Sequence, residues 1–377
     1  MARLPDKVRV EIIGQGSAAS LDNFTSFQIT NDITSPSEGA FELGNDTTWA
    51  DLQPYIAHGT QYRVFVNNSL RLTGRVELDD IPCDATGGAV VRFTVRTKLA
   101  DAQYAAADQG VRVKNTSIAD FLKALYAPLG YSDADFVFAP YTARDLMTGG
   151  NTSGQGSPVE VDLEPLKTDA ARVQAGETIY QAADRHLRRH GLMHWDSPDG
   201  KIVVSSPNDE QDPIYWVIAN RYDPQFNNVE RFTRAMDYSG IPSTLAVFGV
   251  GGKAGRARVR VGAFAADFDV QDAGFVRPVL IVSQGIRTLN LADRAAAREL
   301  SARSKRKDCF EVLADGLSYW NGSDSVPWAI DHTCAVSSDV AGGDLGAYYI
   351  HRVVLRRTAG EGDATNLNIL RRGIWKL

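Results

Sequence analysis

Cysteine is scarce in this chain: three in 377 residues, Cys83, Cys309 and Cys334, odd in number and far apart. No CxxC spacing occurs, so neither a zinc site nor a disulfide framework is indicated. The three read as isolated, buried or half-buried thiols of a reducing compartment. No run of about 18 uninterrupted apolar residues exists, so no membrane span is expected. The N-terminus, Met1-Ala2-Arg3-Leu4-Pro5-Asp6, carries charge where a signal peptide needs an apolar core, and a chain made and folded in a cytoplasm is expected. Net charge is −6, which argues against a protein whose overall field grips a phosphate backbone, while leaving room for a local basic patch. What is present is ordinary globular material, 44% hydrophobic and 23% charged. The length suggests two or three folded units at roughly 150 residues each.

Catalytic motifs are also missing. No GxSxG nucleophile elbow and no GxGxxG dinucleotide fingerprint occurs. Gly249-Val250-Gly251-Gly252-Lys253 looks like a phosphate loop, but Val247 and Ala254 stand where that loop needs Gly and Ser or Thr; a connection between strands is expected there. His186, His190 and His194 are four apart, the spacing by which two helical histidines share a metal. Leu187 replaces the glutamate of an HExxH site, Arg188 and Arg189 intervene, and Gly191 ends the helix before His194, so a solvated helix face is expected. The acids at Asp79-Asp80, Asp162 and Glu164 read as solvated surface. Arg256, Arg258 and Arg260 form a row on one strand face, facing water or an intersubunit contact. No catalytic, cofactor-binding or metal residue is assigned, and no cofactor is expected.

The first hundred residues carry short period-2 runs broken by Gly, Asn, Asp and Pro. Val8, Val10 and Ile12 alternate with Lys7, Arg9 and Glu11; Tyr62, Val64 and Val66 end at the turn-forming pair Asn67-Asn68; Val91, Phe93 and Val95 alternate with Arg92, Thr94 and Arg96. This is the pattern of an antiparallel sheet or barrel. Helical periodicity follows. Ser117 precedes the stripe Ile118, Phe121, Leu122, Leu125, with Asp120 placed as in a capping box. A second helix starts near 176–178 and buries Ile179, Ala182, Ala183 and Leu187, and a hairpin turns at Pro198-Asp199-Gly200. Residues 148–157 are patternless Gly, Ser, Asn and Thr, a mobile loop. The remainder returns to strands at 244–248, 257–261, 332–336, 348–355 and 367–370, with one Ala- and Arg-rich helix over 291–306 in which Glu299 precedes Arg303 by four. The 62–78 and 332–355 segments share a strand, polar turn, strand plan, a sign of duplication.

These segments, in order, resemble the Mu-like baseplate hub family of contractile phage tails, related to the late control D proteins. The resemblance is carried by the 23–43 strand pair with Phe24, Phe27 and Phe41, the 62–78 hairpin with LTGRVEL, and the 113–131 helix with LYAPLG. VQAGET at 173–178, NNVERFTRAMDYSGIPSTLAVFG at 227–249, RPVLIV at 277–282 and the closing PWAIDHTCAVSS…YYIHRVVL complete it. The resemblance implies a β-rich α+β chain with two antiparallel β-barrel-like tube domains and α/β insert domains: 1–100 and 214–253 with 310–377 as tube domains, 101–213 as a helix-plus-hairpin insert, 254–309 as a further insertion. It also implies a homotrimer whose six barrels adapt a sixfold tail tube to a threefold central spike. The implied partners are the spike, the tube or tube-initiator protein and neighbouring baseplate proteins; DNA passes through the lumen without specific binding. Residence in the virion tail baseplate, after assembly in the host cytoplasm, and the absence of catalysis belong to the same implication.

A second resemblance covers less. VQAGETIYQAADRHLRRHG, at 173–191, is similar to the start of a LysM carbohydrate-binding module, which implies a cell-wall glycan-binding protein or part of a wall hydrolase. The Asn-containing second half of that module is not recognisable after Gly191.

Overall fold

Asn67 and Asn68 both adopt left-handed backbone, φ 49° and 64°, the conformation that a two-residue hairpin turn requires and that Asn tolerates better than other non-glycine residues. They join β5 (Gln61–Val66) to β6 (Ser69–Asp80). The computed structural model that shows this describes residues 6–372, apart from 15–16, 22–23, 44–58, 81–82, 85–87, 112–116, 139–172, 190–191, 223–226, 255–256, 284–285, 287–288, 323, 359 and 361. The 148–157 segment therefore lies outside the described residues.

Around that hairpin the first region builds β1 (Val8–Gly14), β2 (Ser17–Leu21), β3 (Phe24–Asp32), β4 (Ser35–Leu43) and β9 (Val91–Arg96), with a two-residue ribbon of β7 (Cys83–Asp84) and β8 (Gly88–Ala89). Period-2 alternation puts Val8, Val10, Ile12, Tyr62, Val64, Val66, Val91, Phe93 and Val95 into one core. Rings run across it: Phe24 to Phe41 at 5.3 Å, Phe41 to Phe93 at 5.2 Å and Phe93 to Tyr62 at 5.7 Å between centroids. Each such pair adds roughly 0.5–1.5 kcal/mol to the burial itself.

Next come α1 (Asp101–Tyr104), α2 (Ile118–Tyr126), β10 (Phe136–Phe138), α3 (Ile179–Arg189), β11 (Met193–Asp196) and β12 (Ile202–Ser205). Ser117 caps α2, its hydroxyl oxygen accepting the Asp120 N–H at 3.1 Å. The box closes through the Ser117 hydroxyl donating to Asp120 rather than through the Ser117 backbone. Thr178 and Gln181 form the full reciprocal box of α3. Ile118, Phe121, Leu122 and Leu125 meet Ile179, Ala182, Ala183 and Leu187 in a second core, closed by the sheet β10-β12-β11.

The rest holds β13 (Tyr215–Ile218), β14 (Val229–Ala235), β15 (Thr244–Ala254), β16 (Ala257–Ala266), α4 (Phe268–Asp272), β17 (Pro278–Ser283), α5 (Leu289–Ser304), β18 (Cys309–Asp315), β19 (Ser318–Trp320), β20 (Ser325–Pro327), β21 (His332–Ser338), β22 (Gly343–Thr358) and β23 (Gly362–Arg371). Thirteen strands form one sheet, in the order β14-β18-β23-β22-β3-β4-β9-β6-β5-β1-β2, with β21 on β22 and β13 on β21. One expectation needs correction. The 244–253 strand, placed by sequence in the second β-rich region, joins none of these strands: β15 pairs with β16 and β17 in a small sheet. Its inward residues Leu245 and Val247 are drawn there by Ala292 and Ala296 of α5.

Gly74 sits inside β6 because a Cβ there would collide with the backbone carbonyl of Arg96 in β9. Gly74→Ala should therefore lower stability by about 1–3 kcal/mol, read as a shift of the chemical denaturation midpoint; an unchanged midpoint would show that the two strands can separate freely.

Candidate assembly interface

The two β-rich regions are joined along a single strand. β22, 16 residues long, carries β23 along one edge. On its other edge it pairs first with β21, up to His332 against Ile350, and then with β3, from Arg352 against Asp32 to Arg357 against Phe27. The Ile33 N–H donates to the His351 carbonyl at 3.1 Å. Arg357, gripped by Asp363 at 2.6 Å, lies 5.3 Å over the Phe27 ring. Ile33, Trp195 and Tyr349 close a small core where the β3–β4 turn, β11 and β22 meet. Further ties cross between the regions: Arg71, buried on β6, donates to the Trp328 carbonyl, Asp6 accepts the Leu317 N–H at 2.6 Å, and Asn67 donates to Ser318 at 3.1 Å.

The two regions also repeat each other. In chain order β1, β3, β4, β5, β6 and β9 correspond to β13, β14, β18, β21, β22 and β23, because the runs β3-β4-β9-β6-β5-β1 and β14-β18-β23-β22-β21-β13 then have the same neighbours throughout. Every pairing has the same sense except the last, where β13 runs parallel to β21 and β1 antiparallel to β5. Irregularities coincide as well. The register skips Thr25 in β3 and Glu230 in β14; it skips Arg71 in β6 and Leu345 in β22 against their hairpin partners; and it skips Glu77 and His351 in the same strands against β9 and β23. A bulge re-aims a strand and increases its twist, so matched bulges give the two runs matched curvature. Where β3 and β4 are linked by a turn at 33–34, β14 and β18 are separated by 236–308, which holds the small sheet.

Equivalent strands differ in what covers them. In β3, which pairs with β22, Phe27, Ile29, Thr30 and Asn31 are buried. In β14, the last strand of the sheet, Arg231, Thr233 and Ala235 are exposed, and Met236 just beyond is 57% exposed. A second open surface lies on the small sheet, whose face away from α5 carries the cross-strand rows Phe264–Ala246–Leu280 and Gly262–Phe248–Val282, with Phe264, Leu280 and Val282 exposed.

The residues singled out for chemistry are scattered. The expectation of a solvated histidine face is corrected: His186 is fully buried with its ring 4.5 Å from Phe121, and His194 is buried on β11, its Nε2 3.0 Å from the Tyr126 hydroxyl. His186 sits on the inward face because it is three residues from Ala183 and four from Ala182, both core. Burial holds the His194 imidazole down at about 4. His190 lies outside the described residues, as do Asp162, Glu164, Arg256 and the side chains of Asp79, Asp80, Arg258, Arg260 and Cys83. Gly249-Val250-Gly251-Gly252-Lys253 is strand, within β15, and Cys309 and Cys334 are free thiols. Among the described residues no group of three or more His, Cys, Asp or Glu is placed to hold a metal.

Sequence reasoning missed the buried ionisable groups. A cavity of about 270 Å³ bordered by Asp267, Phe268, Leu300, Ser304 and Lys307 is an ion-pair clasp: Lys307 Nζ stands 2.6 Å from Asp267, which also accepts from Ser304. Asp196, on β11, accepts the Ser37 N–H at 2.8 Å and the Thr97 hydroxyl at 2.7 Å, both through Oδ2. Burial pushes its carboxyl up to about 7. Asp331, in left-handed backbone at φ 60°, accepts from Tyr349 and from the Asn208 N–H, and burial raises it to about 6. These acids brace junctions between segments far apart in the chain, and no local spacing announces them.

No protein-family model and no curated protein sequence matches the chain. Solved structures do, over its whole length. The fold is that of phage tail proteins. A tail protein from Neisseria meningitidis MC58 superposes with a TM-score of 0.75 at 18% identity, covering 99% of this chain and 98% of that one. The 43 kDa tail protein of prophage MuSo2 from Shewanella oneidensis gives 0.73 at 15% identity, over 98% and 99%. A component of the Escherichia coli type VI secretion system, itself structurally similar to the T4 tail proteins gp27 and gp5, gives 0.52 at 11% identity, over 96% and 76%.

Because the folded-state pKa of Asp196 lies above the ordinary carboxyl value, its contribution to stability is present in full below about 4 and is lost as pH rises through about 7. Asp196→Asn should remove that loss. Its stability relative to the parent should rise by roughly 2–4 kcal/mol between pH 5 and pH 8, in denaturation curves at the two pH values; parallel curves for variant and parent would rule the assignment out.

Proposed function

We propose that this chain is the structural hub of a contractile phage tail baseplate. Three copies close into a ring, and each copy contributes two barrel-like tube domains built on the repeated runs of strands, so that a threefold assembly presents a sixfold face. The inserts, 101–213 and the small-sheet segment, stand outside the tube. The ring joins the sixfold tail tube, or its initiator, to a threefold central spike and encloses the DNA channel; neighbouring baseplate proteins meet its outer surface.

The observation that carries this reading is the internal repeat with its coincident bulges. Matched units can make near-equivalent contacts within and between chains, and head-to-tail contacts that close do not grow into fibres. Full-length likeness to tail proteins supports the same reading. So does net charge: a lumen wall that is polar to acidic lets DNA slide, whereas a basic wall holds it through phosphate contacts, and the chain carries −6 overall.

Light scattering on the purified chain should return three times the 41.1 kDa chain mass, and reconstructed tails should place the ring between tube and spike. A chain that stays monomeric in solution and in the particle, or a ring with another number of copies, ends the proposal. A pull-down on cell-wall glycan tests the LysM-like reading of 173–191, and retention on the glycan would favour it.

A further inference from the structure

We infer that the seam joining the two regions inside one chain recurs between chains, with β6 of one copy pairing antiparallel with β14 of the next. The inference rests on the ring reading and adds to it which edges meet and in which register.

The repeat supplies the argument. β22 is the second-region counterpart of β6, and β3 is the first-region counterpart of β14, so the internal β22·β3 contact has one equivalent that a single chain cannot make. Among the described residues, both strands that would make it have an edge without a strand partner. β14 ends the order of the sheet. Among the described residues, the ladder of β6 with β5 reaches Arg75 against Gln61, Val76 bonds on the same edge to Gly59 and Thr60, and Leu78, Asp79 and Asp80 pair with β9 alone. This matches β22, which releases β21 at Ile350 and takes up β3 at Arg352.

Register follows from the bulges. Aligning the skipped residues Glu77 and His351 makes Leu78, Asp79 and Asp80 equivalent to Arg352, Val353 and Val354. Aligning Thr25 with Glu230 makes Thr30, Asn31 and Asp32 equivalent to Ala235, Met236 and Asp237. The internal pairs Arg352↔Asp32, Val353↔Asn31 and Val354↔Thr30 then become Leu78 with Asp237, Asp79 with Met236 and Asp80 with Ala235 of the next copy.

Exposure agrees with this. Thr30 and Asn31, which pair with β22, are 6% and 8% exposed, while Ala235 and Met236 are exposed. A neighbouring copy paired along β14 would lie beside Ala235 and Met236, as β22 lies beside Thr30 and Asn31. An open edge left unpaired is also a template for uncontrolled association, which closure of a ring removes.

The test places cysteines at Asp80→Cys and Ala235→Cys in one chain. Cys83 and Cys309 are changed to Ala in the same chain, because Cys309 lies opposite Ala235 in β18. A thiol-to-thiol reagent spanning about 5 Å, the cross-strand Cβ separation, should give a ladder of covalent dimer and trimer that stops at trimer. Either cysteine alone should give none. Amide exchange on the unaltered chain provides a second readout independent of these substitutions: protection across 231–237 should approach that of 27–32, and should fall at least tenfold on dilution to monomer while 27–32 keeps its protection. A trimeric mass with no ladder and fast exchange across 231–237 overturns this pairing and leaves the ring reading intact. A ladder that stops at dimer overturns the pairing in a ring as well. A monomeric mass overturns the ring reading and the pairing together.

Discussion

The arrangement of this chain depends on β22 being long enough to serve two partners on one edge. A strand of ordinary length, about five or six residues, could have held either β21 or β3. At 16 residues it holds both, and thirteen strands from opposite ends of the sequence become one sheet. The slip at His351 divides the two halves, turning the strand between one set of neighbours and the other. Because the second half of β22 pairs with β3, the apolar core of the first region is continued by Val353 and Leu355, more than 300 positions away in the chain.

Buried polar groups specify this junction rather than simply strengthening it. Arg71, Asp196 and Asp331 each leave water to meet a particular carbonyl, amide or hydroxyl. A buried charge misaligned with its partner is costly, so alternative packings of the inserts on the sheet are penalised more heavily than an all-apolar contact would penalise them. Asp196 holds β11 to the start of β4 and the end of β9, and Asp331 holds the 208–211 linker to β22. The helix-and-hairpin insert is thereby oriented on the sheet by a few directional contacts around Ile33, Trp195 and Tyr349.

The repeat also explains how the second region accommodates an insertion without losing its strand order. The turn at 33–34 in the first region lies at the rim of the sheet, where two antiparallel neighbours need only a short link. In the second region the same link is expanded into β15, β16, β17 and α5, which bury a core of their own. A module that covers its own apolar face on one side adds little strain to the strands it joins, and lengthening a loop costs only slowly growing closure entropy.

What the sequence determined by itself is local. The hairpin at Asn67-Asn68 follows from the left-handed tolerance of Asn between two alternating runs, the Ser117 and Thr178 helix starts from side chains that cap free N–H groups, and the β-rich class from period-2 burial. The absence of a recognisable motif for chemistry was also visible there, as was a family order of segments that agrees with the tail-protein fold. Tertiary structure alone decided where strands went. The 244–248 run reads as a strand in any sheet, and only the fit of Leu245 and Val247 against α5 sends it to the small one. His186 reads as a polar residue; its spacing from Ala182 and Ala183 places it on the inward face, and the packing of Phe121 against its ring completes its burial. The seam was hidden for the same reason: strand propensity is a property of one segment, whereas an edge, a register and a buried carboxyl are properties of two segments brought together.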